Sequence, residues 1–404
     1  MRRGSVGRLL AILDRDGEEA RVVGGAVRNA LLGLPPGDVD IATTALPDEV
    51  VRRAEAAGFK AVPTGIEHGT VTIVADAHPI EVTTLRQDVE TFGRRARVAF
   101  GRDWKTDAER RDFTMNALSV SADGRLHDPV DGLADLEQRR VRFIGEPGKR
   151  IAEDYLRILR FFRFHAAYGE GAPDPAGLRA CIVARSGLET LSRERVRAEL
   201  LKLLLAPHAV ATLAVMAEAG LLGLVLGGVP YLASFANMTK VEDATGAAPD
   251  AVRRLAALGL WVTEDAERLT QRLRLSNADH DRLAAMADGW WRAGPDLGAQ
   301  GGRAFLYRLG PERFIDRVLL AWTRSPAGAG DAAWHELAHL PARWTAPRFP
   351  IRAADFLARG LQRGPELGAA LRTAEDAWIA AGFPDDAGSL ETIMAAAVRA
   401  ARPS

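Results

Sequence analysis

The chain has 404 residues, and its 53 basic and 53 acidic side chains give a formal net charge of zero. This length exceeds what one ordinary hydrophobic core needs and predicts roughly two to four domains. A hydrophobic fraction of 47% with 26% charged residues is typical of globular proteins, which argues against disorder. The neutral balance gives no support for a nucleic-acid partner, although basic residues outnumber acidic ones between Arg139 and Lys202. A solvated helical surface explains that local excess about as well as phosphate binding does.

The N-terminus and the cysteine content both predict a cytoplasmic protein. The first residues, MRRGSVGRLLAILDRDGEE, contain an apolar run that is too short and too soon interrupted by acids for a signal peptide. No later apolar run is long enough to span a membrane, so no membrane partner is expected. Cys181 is the one cysteine, which excludes a disulfide framework or a cysteine-based zinc site within the chain and favours a reducing compartment.

The predicted secondary structure divides the chain into two parts. Up to about residue 140, helical segments alternate with short β-like runs. The β-like runs lie at 21–23, 38–42, 70–74, 79–85 and 141–144. After Pro147, Ala, Leu and Arg dominate, so the remainder is predicted to be almost entirely helical, with breaks rich in Gly, Pro or small residues at 169–175, 226–230, 245–249 and 325–330. The predicted fold class is therefore α+β.

The first motif with chemical content is GGAVRNALLG at residues 24–33, directly after the first β-like run. Paired glycines between a strand and a helix let backbone N–H groups and a helix N-terminus approach a phosphate. Gly25 and Arg28 are the candidate ligands, because an arginine in the first helical turn can add a bidentate contact. Taken alone, the glycine pair is explained equally well by an ordinary strand-to-helix turn.

The second motif is the pair Asp38 and Asp40. Alternate side chains of a strand lie on one face, so both carboxylates are expected side by side, where they repel unless a cation neutralises them. Such oxygen ligands suit Mg2+, which keeps open positions for waters and substrate phosphates. Glu81, in a later β-like run, can supply the third carboxylate of a two-metal site, the alternative being a surface acid on an edge strand. The pattern predicts nucleotidyl transfer.

GGAVRNALLG followed by DVDIAT resembles the signature of the class II, polymerase-β-like nucleotidyltransferases, which include bacterial CCA-adding enzymes and poly(A) polymerases. The resemblance extends over about the first half of the chain. It implies a mixed α/β nucleotidyltransferase head at 1–140, a helical neck for base recognition at 141–225, a helical body at 226–325 and a helical tail at 326–404. Asn29 stands where the family usually has aspartate, and it is given no catalytic role.

The implied function is that of a CCA tRNA nucleotidyltransferase. Such an enzyme adds C, C and A to the tRNA 3′ end from CTP and ATP without a nucleic-acid template, depends on Mg2+ and releases pyrophosphate. The implied partners are the 3′ end and acceptor stem of tRNA. A poly(A) polymerase and a partial CC- or A-adding enzyme share these motifs and remain alternatives. A tRNA-binding module with an inactive head is a further alternative, against which the intact aspartate pair argues.

Residues 109–118, ERRDFTMNAL, resemble the second family motif. The resemblance implies that Arg111 contacts the triphosphate and that Asp112 reads the ribose. A carboxylate at Asp112 can accept a hydrogen bond from the 2′-hydroxyl, or it can cap a helix instead. The preceding residues, 87–108, are charged and rich in turn formers, and they are predicted to form a loop.

Residues 153–164, EDYLRILRFFRF, resemble the base-reading helix of the family. Asp154 and Arg157 are predicted to share one helical face, where an i,i+3 salt bridge is the alternative to base reading. Cytosine and adenine each present an amine beside an unprotonated ring nitrogen, so an aspartate can accept while an arginine donates. Uracil and guanine invert that pattern and would leave buried groups unpaired. Arg160 and Arg163 are expected to meet phosphate or to support the pair.

Residues 335–339 read HELAH, which matches the HExxH zinc motif and makes a metalloprotease the rival hypothesis. No histidine follows His339, Pro341 interrupts the helix, and acids such as Glu366 are the remaining third-ligand candidates. Chance in a helix rich in Ala, Leu, His and Glu explains the HELAH string better than a zinc site does.

Tryptophans of the second half of the chain are expected in the core rather than as stacking platforms for RNA. They are Trp261, Trp290, Trp291 and Trp322.

Overall fold

A computed structural model of the chain describes residues 4–76, 78–92 and 95–401. They form two compact units, Met1–Gly228 and Val229–Ser404, which are described separately. The first combines a sheet with helices and the second is helical, so the predicted α+β class is confirmed. Within the described ranges, every helix is too short or too polar to cross a membrane.

The head occupies the first part of the first unit and is built on one mixed sheet. Its strands are β1 (Ala20–Val23), β2 (Asp40–Thr43), β3 (Lys60–Gly65), β4 (Thr70–Ala75), β5 (His78–Thr84), β6 (Arg86–Phe92), β7 (Arg95–Phe100), β8 (Ser119–Ser121) and β9 (Leu126–His127). Its helices are α1 (Ser5–Leu13), α2 (Gly25–Leu31), α3 (Pro47–Ala56), α4 (Trp104–Glu109) and α5 (Gly132–Glu137). Seven strands are ordered β3-β4-β5-β2-β1-β8-β9, while β6 and β7 pair separately.

The register of the sheet aligns one row of residues across five strands. Asp40 on β2 lies opposite Glu81 on the parallel strand β5 and opposite Val23 on the antiparallel strand β1. Val23 in turn lies opposite Ser119 on β8, and Ser119 opposite His127 on β9. Residues paired in this way share a face of the sheet. The face that carries Asp40 therefore continues from Glu81 to the edge strand β9.

The segment 87–108 is not the predicted loop. Strands β6 and β7 form an antiparallel two-stranded ribbon with a register shift between Asp88 and Glu90. Helix α4 follows, and the Asp103 carboxylate caps it by accepting a hydrogen bond from the Lys105 backbone N–H at 3.0 Å. The prediction was wrong because the charged residues of the ribbon alternate with β-branched and aromatic ones, which is a strand pattern despite its polarity.

The rest of the first unit is helical: α6 (Pro147–Glu153), α7 (Leu156–Tyr168), α8 (Pro175–Val183), α9 (Arg193–Leu204), α10 (Ala209–Glu218) and α11 (Leu221–Leu226). Aromatic rings join α7 to the head. Phe113 lies 4.9 Å from Phe143, which stacks on Phe161 of α7 at 5.5 Å, and all three rings are buried. Cys181 on α8 is fully buried. This packing fixes α7 beside the head.

The second unit contains only helices and short 3-10 turns among its described residues. The helices are α12 (Leu232–Thr245), α13 (Ala251–Gly259), α14 (Thr263–Leu273), α15 (Asn277–Ala287), α16 (Gly298–Leu309), α17 (Pro311–Arg324), α18 (Ala332–Ala338), α19 (Leu340–Arg343), α20 (Ala353–Leu357), α21 (Pro365–Ala380) and α22 (Ala387–Ala401). Trp322 on α17 is buried and stacks on Trp334 of α18, with ring centroids 5.9 Å apart.

The prediction that the tryptophans lie in the core holds for Trp322 and is wrong for two others. Trp261 is 42% exposed and Trp291 is 61% exposed. For Trp261 the physical reason is the cation at the end of α17: the guanidinium of Arg324 lies 4.5 Å from the ring of Trp261 and 4.5 Å from that of Trp290, against which Trp291 packs at 5.9 Å. The rings of Trp261 and Trp290 lie over the guanidinium of Arg324, so one side of this aromatic cluster stays exposed to solvent.

Candidate active site

A cavity of 630 Å³ lies between the head sheet and helix α7. Of the eleven residues predicted to form the site, eight line it: Gly25, Arg28, Asp40, Arg111, Asp112, Asp154, Arg157 and Arg160. Asp38, Glu81 and Arg163 do not. Its volume is in the range of ordinary ligand sites. Residues separated by more than one hundred positions in the sequence are thus brought to one place.

The glycine turn forms the end of the cavity nearest β1. Gly24 has φ 68°, a left-handed conformation that other residues adopt only with strain. A Cβ at this position would lie 3.3 Å from a guanidinium nitrogen of Arg111. Helix α2 starts at Gly25, so the backbone N–H groups of its first turn have no partner within the helix and are available to an anion.

Arg28 is buried and already held by neutral partners. Its Nη1 donates to Asn116 Oδ1 at 2.5 Å, its Nη2 donates to Tyr168 Oη at 2.7 Å, and Nε and Nη2 both donate to Asn29 Oδ1. Burial lowers the pKa of Arg28 below its ordinary value. Most of the N–H groups of Arg28 already donate hydrogen bonds within the protein. Arg28 therefore contributes a fixed positive charge rather than a bidentate contact to a ligand. Asn29, which was given no catalytic role, helps to orient Arg28.

Asp40 and Glu81 lie opposite each other on neighbouring strands, whereas Asp38 is placed differently. Strand β2 begins at Asp40, so Asp38 precedes the strand and is exposed, contrary to the prediction that both lie on it. Burial raises the pKa of Asp40, and the nearby charges of Glu81 and then Asp38 raise it further, while Arg111 acts in the opposite direction. Repulsion of this kind is what a bound cation relieves.

The donor set fits a hard cation that keeps part of its own coordination shell. The described residues contain no group of three His, Cys, Asp or Glu side chains arranged to enclose a metal ion. Mg2+ does not require one, because it is usually held by one or two carboxylates together with waters and substrate phosphates. Asp40 on β2 and Glu81 opposite it on β5 are oxygen donors of this kind.

Arg111 and Asp112 differ in how tightly the protein holds them. Arg111 makes two long contacts, with Nη2 3.3 Å from Asp107 Oδ2 and Nη1 3.3 Å from the Asn116 carbonyl oxygen. Asp112 is buried, and its Oδ2 accepts from Arg160 Nε at 2.7 Å. The other oxygen accepts from Asn116 Nδ2 at 3.0 Å and from a backbone N–H. Burial acts to raise the pKa of Asp112, but Arg160 and these donors hold it below its ordinary value.

Asp154 and Arg157 both line the cavity, but they do not pair. Helix α6 ends at Glu153 and α7 begins at Leu156, so Asp154 lies between two helices rather than on the predicted helical face. Its Oδ2 accepts from Arg195 Nη2 at 2.6 Å. The Nη1 of Arg157 donates to the Arg150 carbonyl oxygen at 2.6 Å and contacts Glu153. The i,i+3 salt bridge is therefore excluded as the reason for the pair.

Arg160 and Arg163 form one chain of ion pairs with Glu199. Arg160 links Asp112 to Glu199, whose carboxylate lies 3.7 Å from Arg160 Nη1 and 2.5 Å from Arg163 Nε. The guanidinium of Arg163 also lies 4.2 Å from the centre of the Phe164 ring. Of the two predicted roles, these contacts favour support of the site over direct contact with phosphate, most clearly for Arg163.

Sequence reasoning missed several residues that organise the cavity. Asn116 joins Arg28 to Asp112, and its position four residues after Asp112 in one motif was the available signal. Tyr168 is 140 residues from Arg28, and nothing local indicates their contact. Arg195 holds Asp154 from 41 residues away, and nothing local in the sequence indicates this contact either.

Comparisons with known proteins identify related families and structures. Residues 20–142 match the family described as Poly A polymerase head domain, and residues 174–235 match the one described as probable RNA and SrmB- binding site of polymerase A. The chain is 35% identical over 400 residues to the CCA tRNA nucleotidyltransferase 1, mitochondrial, of Danio rerio, across 93% of this chain and 86% of that protein. It is 43% identical over 212 residues to the CCA-adding enzyme of Geobacillus thermodenitrificans, across 52% of this chain and 51% of that protein. The crystal structure of the Bacillus stearothermophilus CCA-adding enzyme in complex with CTP matches with a TM-score of 0.77 and 28% identity, covering 97% of this chain and 96% of that one.

Proposed function

The chain belongs to the family of CCA tRNA nucleotidyltransferases, and from that premise we propose that it adds C, C and A to the 3′ end of tRNA from CTP and ATP without a nucleic-acid template. The observation that carries the proposal is the 630 Å³ cavity, which gathers a glycine turn, the carboxylate of Asp40, and the side chains of Asp154 and Arg157. A site of this composition can hold a triphosphate, a metal and a base together.

The reaction is an in-line attack of the tRNA 3′-hydroxyl oxygen on the α-phosphorus of the nucleotide. A phosphodiester bond forms, the bond to the β-phosphate oxygen breaks, and pyrophosphate leaves. Asp38 and Asp40 would hold Mg2+, with Glu81 as the third carboxylate. When bound, Mg2+ neutralises charge on the phosphates and eases loss of the hydroxyl proton. The raised pKa of Asp40 supports this assignment, because crowded carboxylates gain most from a cation.

The triphosphate lies against the glycine turn. Backbone N–H groups at the start of α2, beginning with Gly25, donate to its oxygens. Arg111 supplies the mobile cation, since its two contacts within the protein are both long. Arg28 supplies a fixed positive charge beside it. Asp112 faces the ribose and is held by Arg160.

Base selection rests on Asp154 and Arg157. An amine of cytosine or adenine donates to Asp154, and Arg157 donates to the unprotonated ring nitrogen. UTP and GTP would place a carbonyl against Asp154 and an N–H against Arg157, which leaves groups unpaired in the cavity. Because Arg195 holds Asp154 and Glu153 holds Arg157, each side chain can keep a fixed direction without a template strand.

One assay separates this function from its alternatives. tRNA lacking its 3′-terminal CCA is incubated with each nucleoside triphosphate alone and in pairs, and the product ends are sequenced. We expect two C residues with CTP alone and one further A when ATP is added. Long A tracts would identify a poly(A) polymerase, and arrest after CC or refusal of CC-lacking tRNA would identify a partial enzyme. The curated relatives that cover most of the chain favour full CCA addition.

The same proposal includes the organisation and the compartment predicted from the sequence. The head spans 1–140, the neck 141–225, the body 226–325 and the tail 326–404, and the neck supplies base recognition through Asp154, which precedes α7, and Arg157 on α7. The cytoplasm is the proposed compartment. The buried Cys181, the one cysteine of the chain, is compatible with it.

A further inference from the structure

One stripe of helix α7 faces the candidate active site. Arg157, Arg160 and Phe164 recur at intervals of three and four residues, which places them on one side of the helix, and all three line the 630 Å³ cavity. Tyr168, four residues after Phe164, continues the stripe and is the last residue of α7. Arg157 serves the base and Arg160 holds Asp112, whereas Tyr168 lies beyond both.

Tyr168 contacts the guanidinium of Arg28 in two ways. Its Oη accepts a hydrogen bond from Arg28 Nη2 at 2.7 Å, and the centre of its ring lies 4.0 Å from the guanidinium carbon. The ring of Phe164 lies 5.2 Å from the same carbon and 5.8 Å from the ring of Tyr168. Aromatic faces attract a cation. Helix α7 therefore holds an arginine of α2 across 140 residues of sequence.

The guanidinium of Arg28 lies beside the glycine turn. A Cβ on Gly25 would lie 3.5 Å from Arg28 Nη2, the nitrogen that donates to Tyr168. Arg28 also donates to the side-chain oxygens of Asn29 and Asn116. All three of these acceptors are neutral, so the contacts fix the direction of the guanidinium and leave its charge for an anion at the turn.

Fixing this side chain in advance favours the binding of a polyphosphate. A free arginine side chain loses rotamer freedom when it binds an anion, and that loss reduces the affinity. Arg28 is buried and is held by Tyr168 on α7 and by Asn116 on the head, so it has little rotamer freedom left to lose.

We propose that Tyr168 is a positioning residue for the triphosphate, because its hydroxyl directs the guanidinium of Arg28 at the glycine turn where the triphosphate lies. Tyr168 acts through Arg28 and does not itself contact the nucleotide. Arg157 and Tyr168 are eleven residues apart, which is about 16 Å along the helix axis. Helix α7 therefore sets both ends of the nucleotide, the base through Arg157 and the triphosphate through Tyr168.

This inference rests on the proposed function, and removal of one hydroxyl tests it. Tyr168→Phe keeps the ring that lies against Arg28 and Phe164 but removes the oxygen that accepts from Arg28. The matched control is Tyr307→Phe in the second unit, because it also removes a hydroxyl that binds a charged partner, Glu375, at 2.5 Å. The dissociation constant for CTP is measured by equilibrium dialysis without tRNA. KM and kcat for CTP and ATP and the inhibition constant of inorganic pyrophosphate are measured in the addition assay, and folding is checked by thermal melting.

We expect Tyr168→Phe to raise the dissociation constant for CTP, both KM values and the inhibition constant of pyrophosphate together, each about 5-fold, with a smaller change in kcat. The ratio of UTP to CTP incorporation should not change, because Asp154 and Arg157 are left intact. Tyr307→Phe should match the wild type in all of these constants. In an Arg28→Lys background, Tyr168→Phe should cause no further loss, because it acts only through the guanidinium of Arg28.

Unchanged CTP binding and pyrophosphate inhibition in Tyr168→Phe would contradict the inference, whatever the melting temperature. An equal loss in the wild-type and Arg28→Lys backgrounds would also contradict it, because Tyr168 would then act by another route. A wild-type protein that binds CTP but adds no nucleotide to tRNA would contradict the proposed function alone, since dialysis still compares the two tyrosine variants.

Discussion

Two networks of arginines and carboxylates, one in each unit, show how the same side-chain pairs can serve different ends. The pocket network consists of Asp112, Glu153, Asp154, Arg157 and Arg160, and all of these but Glu153 line the active-site cavity. The body network consists of Glu242, Asp250, Arg253, Arg254, Arg282 and Asp316. In it, Glu242 and Asp316 are each 1% exposed. Asp316 accepts from Arg282 at 2.5 and 2.8 Å, and Glu242 accepts from Arg254 at 2.7 Å.

The two networks differ in whether a ligand can reach their charged groups. The pocket network holds charged groups beside open space, where a ligand can replace water. The body network directs its charges at one another, so its contribution is to packing and stability. Removing one partner of a buried ion pair leaves an uncompensated charge and costs about 3–5 kcal/mol. Substitutions in the pocket network should therefore change chemistry or selectivity, and those in the body network should change unfolding.

The largest expected effect is at Asp40. Asp40→Asn keeps the shape but removes a metal ligand, and it should reduce nucleotide incorporation on the order of 10³-fold. Thermal stability should not fall, because burial and neighbouring acids already disfavour the charged form of Asp40. Asp38→Asn should act in the same direction. Incorporation near the wild-type rate in either variant, measured with tRNA and CTP, would contradict the assignment of Asp38 and Asp40 as metal ligands.

In the body network the expectation is reversed. Asp316→Ala should lower the free energy of unfolding by about 3–5 kcal/mol, because Arg282 and Arg253 lose their buried partner. Urea unfolding measures this loss. The ratio of CTP to UTP incorporation by the folded fraction should stay as in the wild type. A variant with normal stability and altered selectivity would show that the two networks are not separate in function.

A smaller and directional effect is expected at Asp154. Asp154→Asn replaces the carboxylate by an amide that can turn either its oxygen or its nitrogen towards the base. UTP and GTP incorporation should rise relative to CTP and ATP, whereas Arg157→Ala should depress use of the correct bases by about 1–3 kcal/mol. Competition assays with paired nucleotides measure both. If Asp154→Asn melts at a much lower temperature with an unchanged UTP to CTP ratio, the residue is structural.

One buried acid of each network, Asp112 in the pocket and Glu242 in the body, should also respond to acid with opposite sign. The pKa of Asp112 is held below its ordinary value, so its contribution to stability is present above the unfolded pKa of 3.8 and is lost as the pH falls towards the folded one. Burial raises the pKa of Glu242, so between 4.5 and the folded value the native state binds the extra proton and acidification favours it. The stability difference from Asp112→Asn should shrink below about pH 4, while that from Glu242→Gln should move in favour of the wild type. Parallel trends in urea unfolding across pH would contradict the contrast.

The smallest effect is expected at the HELAH string. His335 Nε2 lies 3.1 Å from the Ala329 carbonyl oxygen, and His339 Nδ1 lies 2.8 Å from the His335 carbonyl oxygen. Both rings thus have partners in the protein, and α18 ends at Ala338. His335→Ala should retain full nucleotide addition, and elemental analysis should find no stoichiometric zinc. Zinc that is present and lost on this substitution would revive the rival hypothesis.

Local patterns in the sequence predicted much of this molecule. The glycine turn, the aspartate motif and the change to helix after Pro147 all follow from short-range chemistry, and they led to most residues of the cavity. The position of Asp154 does not follow from local patterns. The chain breaks between α6 and α7 without a Gly or Pro to mark the break, and Asp154 there contacts Arg195, which is 41 residues away. The exposure of Trp261 depends similarly on Arg324, a partner that no local pattern reveals.

The buried Cys181 has a practical consequence for following motion in this protein. It is the single thiol of the chain, and burial raises its pKa, while maleimide dyes react with the thiolate of accessible cysteines. The natural chain should therefore react very little with such dyes, and Cys181 does not need to be replaced. Cysteines introduced at Val183, which is 85% exposed on α8, and at Val262, which is 48% exposed in the second unit, would carry a donor and an acceptor fluorophore. Energy transfer between them would report the separation of the two units while successive nucleotides are added.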